Sequence, residues 1–112
     1  MREIKKRGKM KRRIMEFRNP VFHDGINCTV RRGYKWTNLK IGEKILLNTG
    51  EEVTIEKLIV CRFKDIETSD LKYEHDPDCR VKAGLYKTLC NIYPDFDRDT
   101  VVTIVYFKYK EV

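Results

Sequence analysis

The 112-residue sequence has no long apolar run, no glycine-rich phosphate loop and no closely spaced cysteine pair, and each absence excludes a class of protein. No apolar stretch approaches the roughly 18 residues that a membrane-spanning helix needs, so we expect no membrane contact. No charged start followed by an apolar run marks a signal peptide, which predicts a cytoplasmic protein. The patterns of a P-loop, a Ser-His-Asp triad and a catalytic carboxylate pair are also missing.

The cysteines are few and widely spaced, at Cys28, Cys61, Cys79 and Cys90. Zinc sites are usually recognisable by ligand pairs a few residues apart, and this spacing lacks them. We therefore predict no metal and no cofactor, although a site built from scattered ligands stays open as an alternative. The favoured interpretation is four reduced thiols that pack as small hydrophobic side chains.

The net charge of +7 is concentrated at the N-terminus. Residues 1–13 hold eight basic groups and one acidic group, whereas the other 99 residues hold 16 of each. Such a block repels itself, so we predict a flexible basic arm at 1–13 and one domain at 14–112. The arm is either a phosphate-binding segment for RNA or a solvated extension that is not part of the native product. Its basic residues are Arg2, Lys5, Lys6, Arg7, Lys9, Lys11, Arg12 and Arg13.

The hydrophobic pattern of the body predicts an α+β fold. Short β-prone runs predict strands at 14–18, 27–32, 44–47, 53–63 and 100–109, with a bulge near Lys57 where the alternation slips. The last run is apolar on both faces and should lie centrally in its sheet. One apolar stripe predicts a helix over 79–93, formed by Val81, Leu85, Leu89 and Ile92. We expect a small β-barrel of five to six strands, with this main helix inserted before the last strand.

Three local signals refine the helix. Asp78 precedes the stripe and is a candidate N-cap, and Pro94 should end the helix. Gly84 lies inside it, where a glycine often marks a close backbone approach. His75, Asp76 and Asp78 could form an acid–base cluster, but a loop followed by a helix cap is the simpler interpretation.

The segment GINCTVRRGYKW, at 25–36, concentrates groups that bind anions and groups that stack. Consecutive arginines on a strand face opposite ways, so one can enter a cleft while the other points outward. Basic residues interleaved with aromatics are typical of nucleic-acid sites. The candidate ligand-binding residues are Thr29, Arg31, Arg32, Tyr34, Lys35 and Trp36. In the alternative interpretation, Trp36 fills the mouth of the barrel and an arginine pairs with an acid of the body.

These residues resemble the ASCH superfamily, small β-barrels related to the PUA domain. The family pattern G-x-K-x-x-(T/E)-x-R is matched in part by Gly25, Thr29 and Arg31. Gly42-Glu43 before a strand, a late helix ending at Tyr93-Pro94 and a last strand ending Val105-Tyr106-Phe107 follow in the family's order. The resemblance covers nearly all of the chain after residue 14.

The match departs from the family at positions that matter for function. In the register that keeps T-x-R, the lysine position falls on Ile26; in the register that uses Arg32, it falls on Asn27. One bacterial branch deacetylates N4-acetylcytidine with a Lys/Thr/Glu arrangement, and its glutamate position falls on Gly84. The resemblance therefore implies RNA binding rather than this hydrolysis. The expected partner is RNA, with a nucleotide or nucleoside as the smaller alternative ligand.

Overall fold

The computed structural model describes residues 12–110, so eleven positions of the predicted arm, 1–11, lie outside the described residues. Five strands and one α-helix form the body. They are β1 Ile14–Met15, β2 Gly25–Arg32, β3 Lys44–Leu47, β4 Glu52–Arg62, α1 Lys82–Ile92 and β5 Val101–Tyr109. No helix within 12–110 is long and apolar enough to cross a membrane.

Strand β5 lies between β2 and β4 and pairs antiparallel with both, in a single sheet of order β1-β3-β4-β5-β2. Short β1 joins the far end by pairing parallel with β3. The sequence prediction of a central last strand is confirmed, because residues 102–107 are buried on both faces. The predicted α+β class, with the helix before the last strand, is also confirmed.

The two faces of β5 serve two different cores, as the two-residue period of a strand requires. Val102, Ile104 and Tyr106 join the core that α1 covers through Leu85 and Leu89. The opposite face contributes Val105 and Phe107 to a second core, which lies under β1, β3 and the loop after β2. The sheet is therefore barrel-like, and the helix closes only one of its two sides.

The β3–β4 hairpin and the bulge in β4 occur where the pattern predicted them. Gly50 in the hairpin turn has a φ of +93°, a conformation that favours glycine. The pairing of β4 with β5 shifts register between Ile55 and Lys57, which accounts for the slip in apolar alternation.

Two predicted boundaries are wrong. The first strand ends at Met15 instead of Arg18, because the backbone N–H and C=O of Phe17 bond to the side chain of Asn48 at 3.2 and 3.1 Å. The α-helix begins at Lys82 instead of Cys79, after a 3-10 turn at Pro77–Cys79.

The predicted N-cap is also wrong. Val81 occupies the N-cap position of α1 and makes no side-chain capping bond. Asp76 caps the preceding 3-10 turn instead, because its carboxylate accepts from the N–H of Asp78 at 3.0 Å. This aspartate therefore fixes the loop that enters the helix rather than the helix itself.

Gly84 packs directly on that 3-10 turn, as its position in the helix predicted. A Cβ at this position would lie 2.0 Å from the backbone oxygen of Asp78, far inside van der Waals contact. The loop at 76–79 and the first turn of α1 can approach this closely only because residue 84 has no side chain.

Replacing this glycine tests the close approach. Alanine normally stabilises a helix interior by about 1 kcal/mol relative to glycine. We expect Gly84→Ala to lower the free energy of unfolding by about 1–3 kcal/mol instead, because the backbone of Asp78 must move. Chemical denaturation of the two proteins measures the difference.

Asn91→Ala is the matched control, because Asn91 is exposed on the same helix. It should leave stability unchanged or raise it slightly. An equal or higher stability for Gly84→Ala would show that the loop does not press on the helix.

Candidate nucleic-acid interface

A cavity of about 420 Å³ lies between β2, the chain that follows β1, and α1. Its apolar wall comes from Phe17, Val30, Leu85, Leu89 and Ile92. The volume is within the usual range for small-molecule sites. Its polar groups include Glu16 and Arg18 after β1, Thr29 and Arg31 on β2, and Glu74, His75 and Asp76 before the helix.

A second cavity of about 340 Å³ adjoins the first. Glu16, Arg31 and Tyr93 line both cavities, so these residues lie at the boundary between them. The second cavity adds Arg32 and Lys35 and is the more basic of the two. Together the cavities form one cleft between the barrel-like sheet and the helix.

Arg31 is the cation that lines both cavities. Its Nε donates to Thr29 Oγ1 at 3.2 Å, and its guanidinium carbon lies 4.4 Å from the centroid of the Phe17 ring. Neither terminal nitrogen has a hydrogen-bond partner within residues 12–110. Burial lowers the Arg31 pKa to about 10, so the group stays charged at neutral pH. The predicted Thr29–Arg31 pair therefore shares one face, with two donor nitrogens left over.

Arg32 points away from the larger cavity, as the strand alternation predicts. It donates to Asp95 at 2.8 Å, and its guanidinium carbon lies 4.5 Å from the Tyr93 ring centroid. The ion pair is exposed and contributes little stability. Arg32 and Lys35 together carry positive charge at the second cavity, while Tyr34 is 64% exposed in the loop beside them.

Trp36 is only 5% exposed and packs in the second core. This placement favours the alternative in which it fills the barrel, and it leaves Tyr34 as the exposed aromatic of the segment. The guanidinium of Arg13 stacks on the Trp36 ring at 4.4 Å and donates to the carbonyl of Lys35 at 3.0 Å. Arg12 pairs with Glu52. The last two arm residues are thus held against the body.

Glu74 is the residue of this cleft that sequence analysis missed. The backbone explains its position: the N–H of Cys28 donates to the carbonyl of Tyr73 at 2.7 Å, and the N–H of His75 donates to the carbonyl of Cys28 at 3.0 Å. This short parallel bridge holds the 73–75 segment against the outer edge of β2. Glu74 is consequently 2% exposed and lines the larger cavity.

Glu74 and His75 form a buried pair. His75 Nε2 lies 3.2 Å from Glu74 Oε1, and its Nδ1 lies 3.1 Å from the carbonyl oxygen of Val21. Burial raises the Glu74 pKa to about 8 and lowers the His75 pKa to about 4. Both groups are therefore neutral near pH 7, and Glu74 does not cancel the charge of Arg31.

No local pattern marks this pair. Sequence analysis weighed His75 with Asp76 and Asp78 as an acid–base cluster, yet the partner of His75 is its own neighbour, Glu74. Asp76 caps a turn and donates its N–H to Glu74 Oε1 at 3.1 Å. The backbone at Gly84 packs against the loop and has no side chain there, so the buried carboxyl group of the cleft comes from Glu74.

Within 12–110, no three His, Cys, Asp or Glu side chains converge into a metal site. The cysteine of the larger cavity is Cys79, and burial raises its pKa to about 11, so it is not a thiolate at neutral pH.

The Glu74–His75 pair predicts a specific pH dependence of stability. Glu74 has a pKa of about 8 when folded and about 4.5 when unfolded, so its contribution is complete below 4.5 and is lost as the pH rises to 8. His75 has a pKa of about 4 when folded and 6.5 when unfolded, so its contribution is complete above 6.5 and is lost toward 4. The free energy of unfolding should therefore be highest between about pH 4.5 and 6.5.

We expect the free energy of unfolding to fall on the order of 2 kcal/mol between pH 6.5 and 8, the range in which only Glu74 changes. Glu74→Gln removes the titrating group and should flatten this slope. Glu16→Gln, which alters an exposed carboxylate of the same cavity, should keep it. Chemical denaturation at several pH values measures this slope for the unmodified chain and both variants. An identical dependence of the free energy of unfolding on pH in all three proteins would contradict a buried neutral Glu74.

No protein-family model and no curated protein matches the chain. Among solved structures, it is similar to the ASCH domain from Lactobacillus crispatus JV V101, with a TM-score of 0.55 and 14% sequence identity. The likeness covers 76% of this chain and 63% of that one, so the chain spans less than two thirds of that structure. An identity this low bears on the fold alone. The chain therefore has an ASCH-like fold, as the order of its motifs predicted.

Proposed function

We propose that this protein binds RNA and holds one nucleotide in the cleft between the barrel-like sheet and α1. The observation that carries the proposal is the position of Arg31. It lines both cavities, and its two terminal nitrogens have no hydrogen-bond partner among the described residues. A guanidinium with two unused donors is suited to a phosphate or to the edge of a base.

The shape of the cleft supports a nucleotide rather than a bare anion. The larger cavity has apolar walls that suit a planar ring, and the smaller one is basic. A base in the first and its phosphate near Arg32 and Lys35 in the second would match this division. Tyr34 is exposed beside them and available to stack on a neighbouring base.

The basic arm fits the same function. Arg13 is fixed against Trp36 and the carbonyl of Lys35, both at the smaller cavity, so this arm residue lies beside the basic part of the cleft. Six further basic residues precede Arg12 in the sequence. They would add attraction for phosphates that does not depend on base identity.

Arg31→Ala tests the cleft. In the full chain, we expect the affinity for an eight-nucleotide single-stranded RNA to fall roughly 10- to 100-fold, because charge-assisted hydrogen bonds are lost. A salt series separates two roles: loss of a phosphate contact lowers the log–log slope by about 0.7, whereas loss of a base contact leaves the slope unchanged. Fluorescence anisotropy measures both quantities.

Arg62→Ala is the matched control. It removes one strand arginine whose guanidinium donates to the carbonyl of Asp99, and it lies outside both cavities. Its affinity should stay near that of the unmodified chain. Equal losses of RNA affinity in both variants would show that the cleft acts only as part of a general basic surface. Thermal melts check that Arg31→Ala is folded.

One observation favours a second candidate function, hydrolysis of a modified nucleoside. Thr29 and Glu74 lie in the same cavity, and a buried carboxyl with a pKa near 8 could donate a proton. However, threonine is a weak nucleophile without a base, and the described lining of the larger cavity includes no lysine. Thr29 Oγ1 also accepts a hydrogen bond from Arg31, which does not activate it.

We therefore expect no detectable release of acetate from N4-acetylcytidine by the full chain, assayed by chromatography over hours. Turnover that disappears in Thr29→Ala but persists in Thr88→Ala, an alteration of another hydroxyl in the same cavity, would establish the hydrolase instead.

A further inference from the structure

Glu74 presents one unused oxygen to the larger cavity. The residue is 2% exposed, yet it lines the cavity. Its Oε1 is occupied by the N–H of Asp76 at 3.1 Å and by His75 Nε2 at 3.2 Å. Its Oε2 has no hydrogen-bond partner within residues 12–110. Glu74 Oε2 is reachable from the cavity, because His23 Nε2 is the one fully buried side-chain nitrogen or oxygen without a partner among the described residues, and a ligand in the cavity can therefore bond to Oε2.

The neighbours of His75 determine what this oxygen can do. A backbone carbonyl only accepts, so His75 Nδ1 must carry the hydrogen that points at Val21. The contact between Nε2 and Oε1 then holds one proton, since two lone pairs would otherwise face each other. Whichever atom carries that proton, Oε2 of Glu74 is left as a pure acceptor.

The rest of the cavity supplies the complementary groups. Arg31 contributes two donor nitrogens without partners, and it makes no ion pair with Glu74. Phe17, Leu85 and Leu89 contribute apolar walls. A planar ring that offers an N–H next to a carbonyl oxygen or ring nitrogen would satisfy both polar groups at once.

Resting on the proposed RNA function, we propose that Glu74 reads the Watson–Crick edge of an unpaired nucleobase. Its Oε2 accepts an N–H of the base, and Arg31 donates to the acceptor beside it. His75 is the positioning residue, because it fixes the proton of the pair on the far oxygen. The cleft thus requires a base that is not paired and not alkylated on this edge.

The test compares two single strands whose bases are uncharged and which differ only on that edge. One is an eight-nucleotide RNA of uridine and guanosine, and the other has the same sequence in 3-methyluridine and 1-methylguanosine. Both are measured against the full chain with arm residues Arg2, Lys5, Lys6, Arg7, Lys9 and Lys11 replaced by glutamine, so that phosphate attraction by the arm does not hide the cleft. We expect the methylated strand to bind roughly 10- to 100-fold more weakly, because a methyl group replaces the N–H that Oε2 would accept, and the bound base would then cover this oxygen without pairing with it.

Glu74→Gln assigns the effect to this residue. The N–H of Asp76 holds the glutamine carbonyl where Oε1 was, so the amide nitrogen would face the cavity and present a donor in place of the acceptor. The ratio of the two affinities should then fall toward one. Asp65→Asn, which alters an exposed carboxylate outside both cavities, should preserve the ratio.

The outcomes separate the two proposals. Failure to bind any single-stranded RNA overturns the proposed function itself. Equal binding of the plain and methylated strands overturns only the proposal that Glu74 reads the base edge. Binding of single strands of other sequences, without binding of the uridine–guanosine strand, also overturns that proposal, since uridine and guanosine both carry the required N–H. The comparison on the unsubstituted cleft stands even if Glu74→Gln does not fold.

Discussion

The pairing of β5 along both of its edges is the constraint on which the rest of the structure depends. A strand buried on both faces has no water for its N–H and C=O groups, so neighbouring strands must satisfy them. β2 and β4 do so over most of its length. The alternation of β5 then divides the apolar residues of the chain between two cores, and α1 can cover only one of them.

The same constraint creates the cleft. With β5 on one edge, β2 keeps a free outer edge, and the 73–75 segment fills part of it through Cys28. This backbone contact carries Glu74 to the face where Thr29 and Arg31 already point. The cleft is therefore assembled along one strand, by its own side chains and by the loop that its edge captures.

Burial then sets the charge of the cleft. Desolvation holds Glu74 neutral at pH 7 but leaves Arg31 charged, because its pKa of about 10 is still well above neutrality. The larger cavity consequently contains a cation whose nearest buried carboxyl does not neutralise it. The two terminal nitrogens of Arg31, which have no hydrogen-bond partner among the described residues, can donate to electron-rich groups such as phosphates and base carbonyls.

The sequence by itself determined the elements that rest on local chemistry. Alternating apolar residues specify β2 and β5, a slip in that alternation marks the bulge beside Lys57, and one apolar stripe specifies α1. The alternation along β2 also placed Thr29 and Arg31 on one face. These features depend only on the periods of strands and helices, so neighbouring residues are enough to predict them.

Only the tertiary structure decided which residues distant in the sequence contact each other. Asn48 ends β1 by bonding to Phe17, and Asp76 rather than Asp78 caps the turn before α1. The burial of Glu74 arises from a backbone bridge across 46 residues, between positions 28 and 74. No local pattern distinguishes such a glutamate from one in solvent, because its depth and its pKa come from the elements that pack around it and not from its neighbours in the chain.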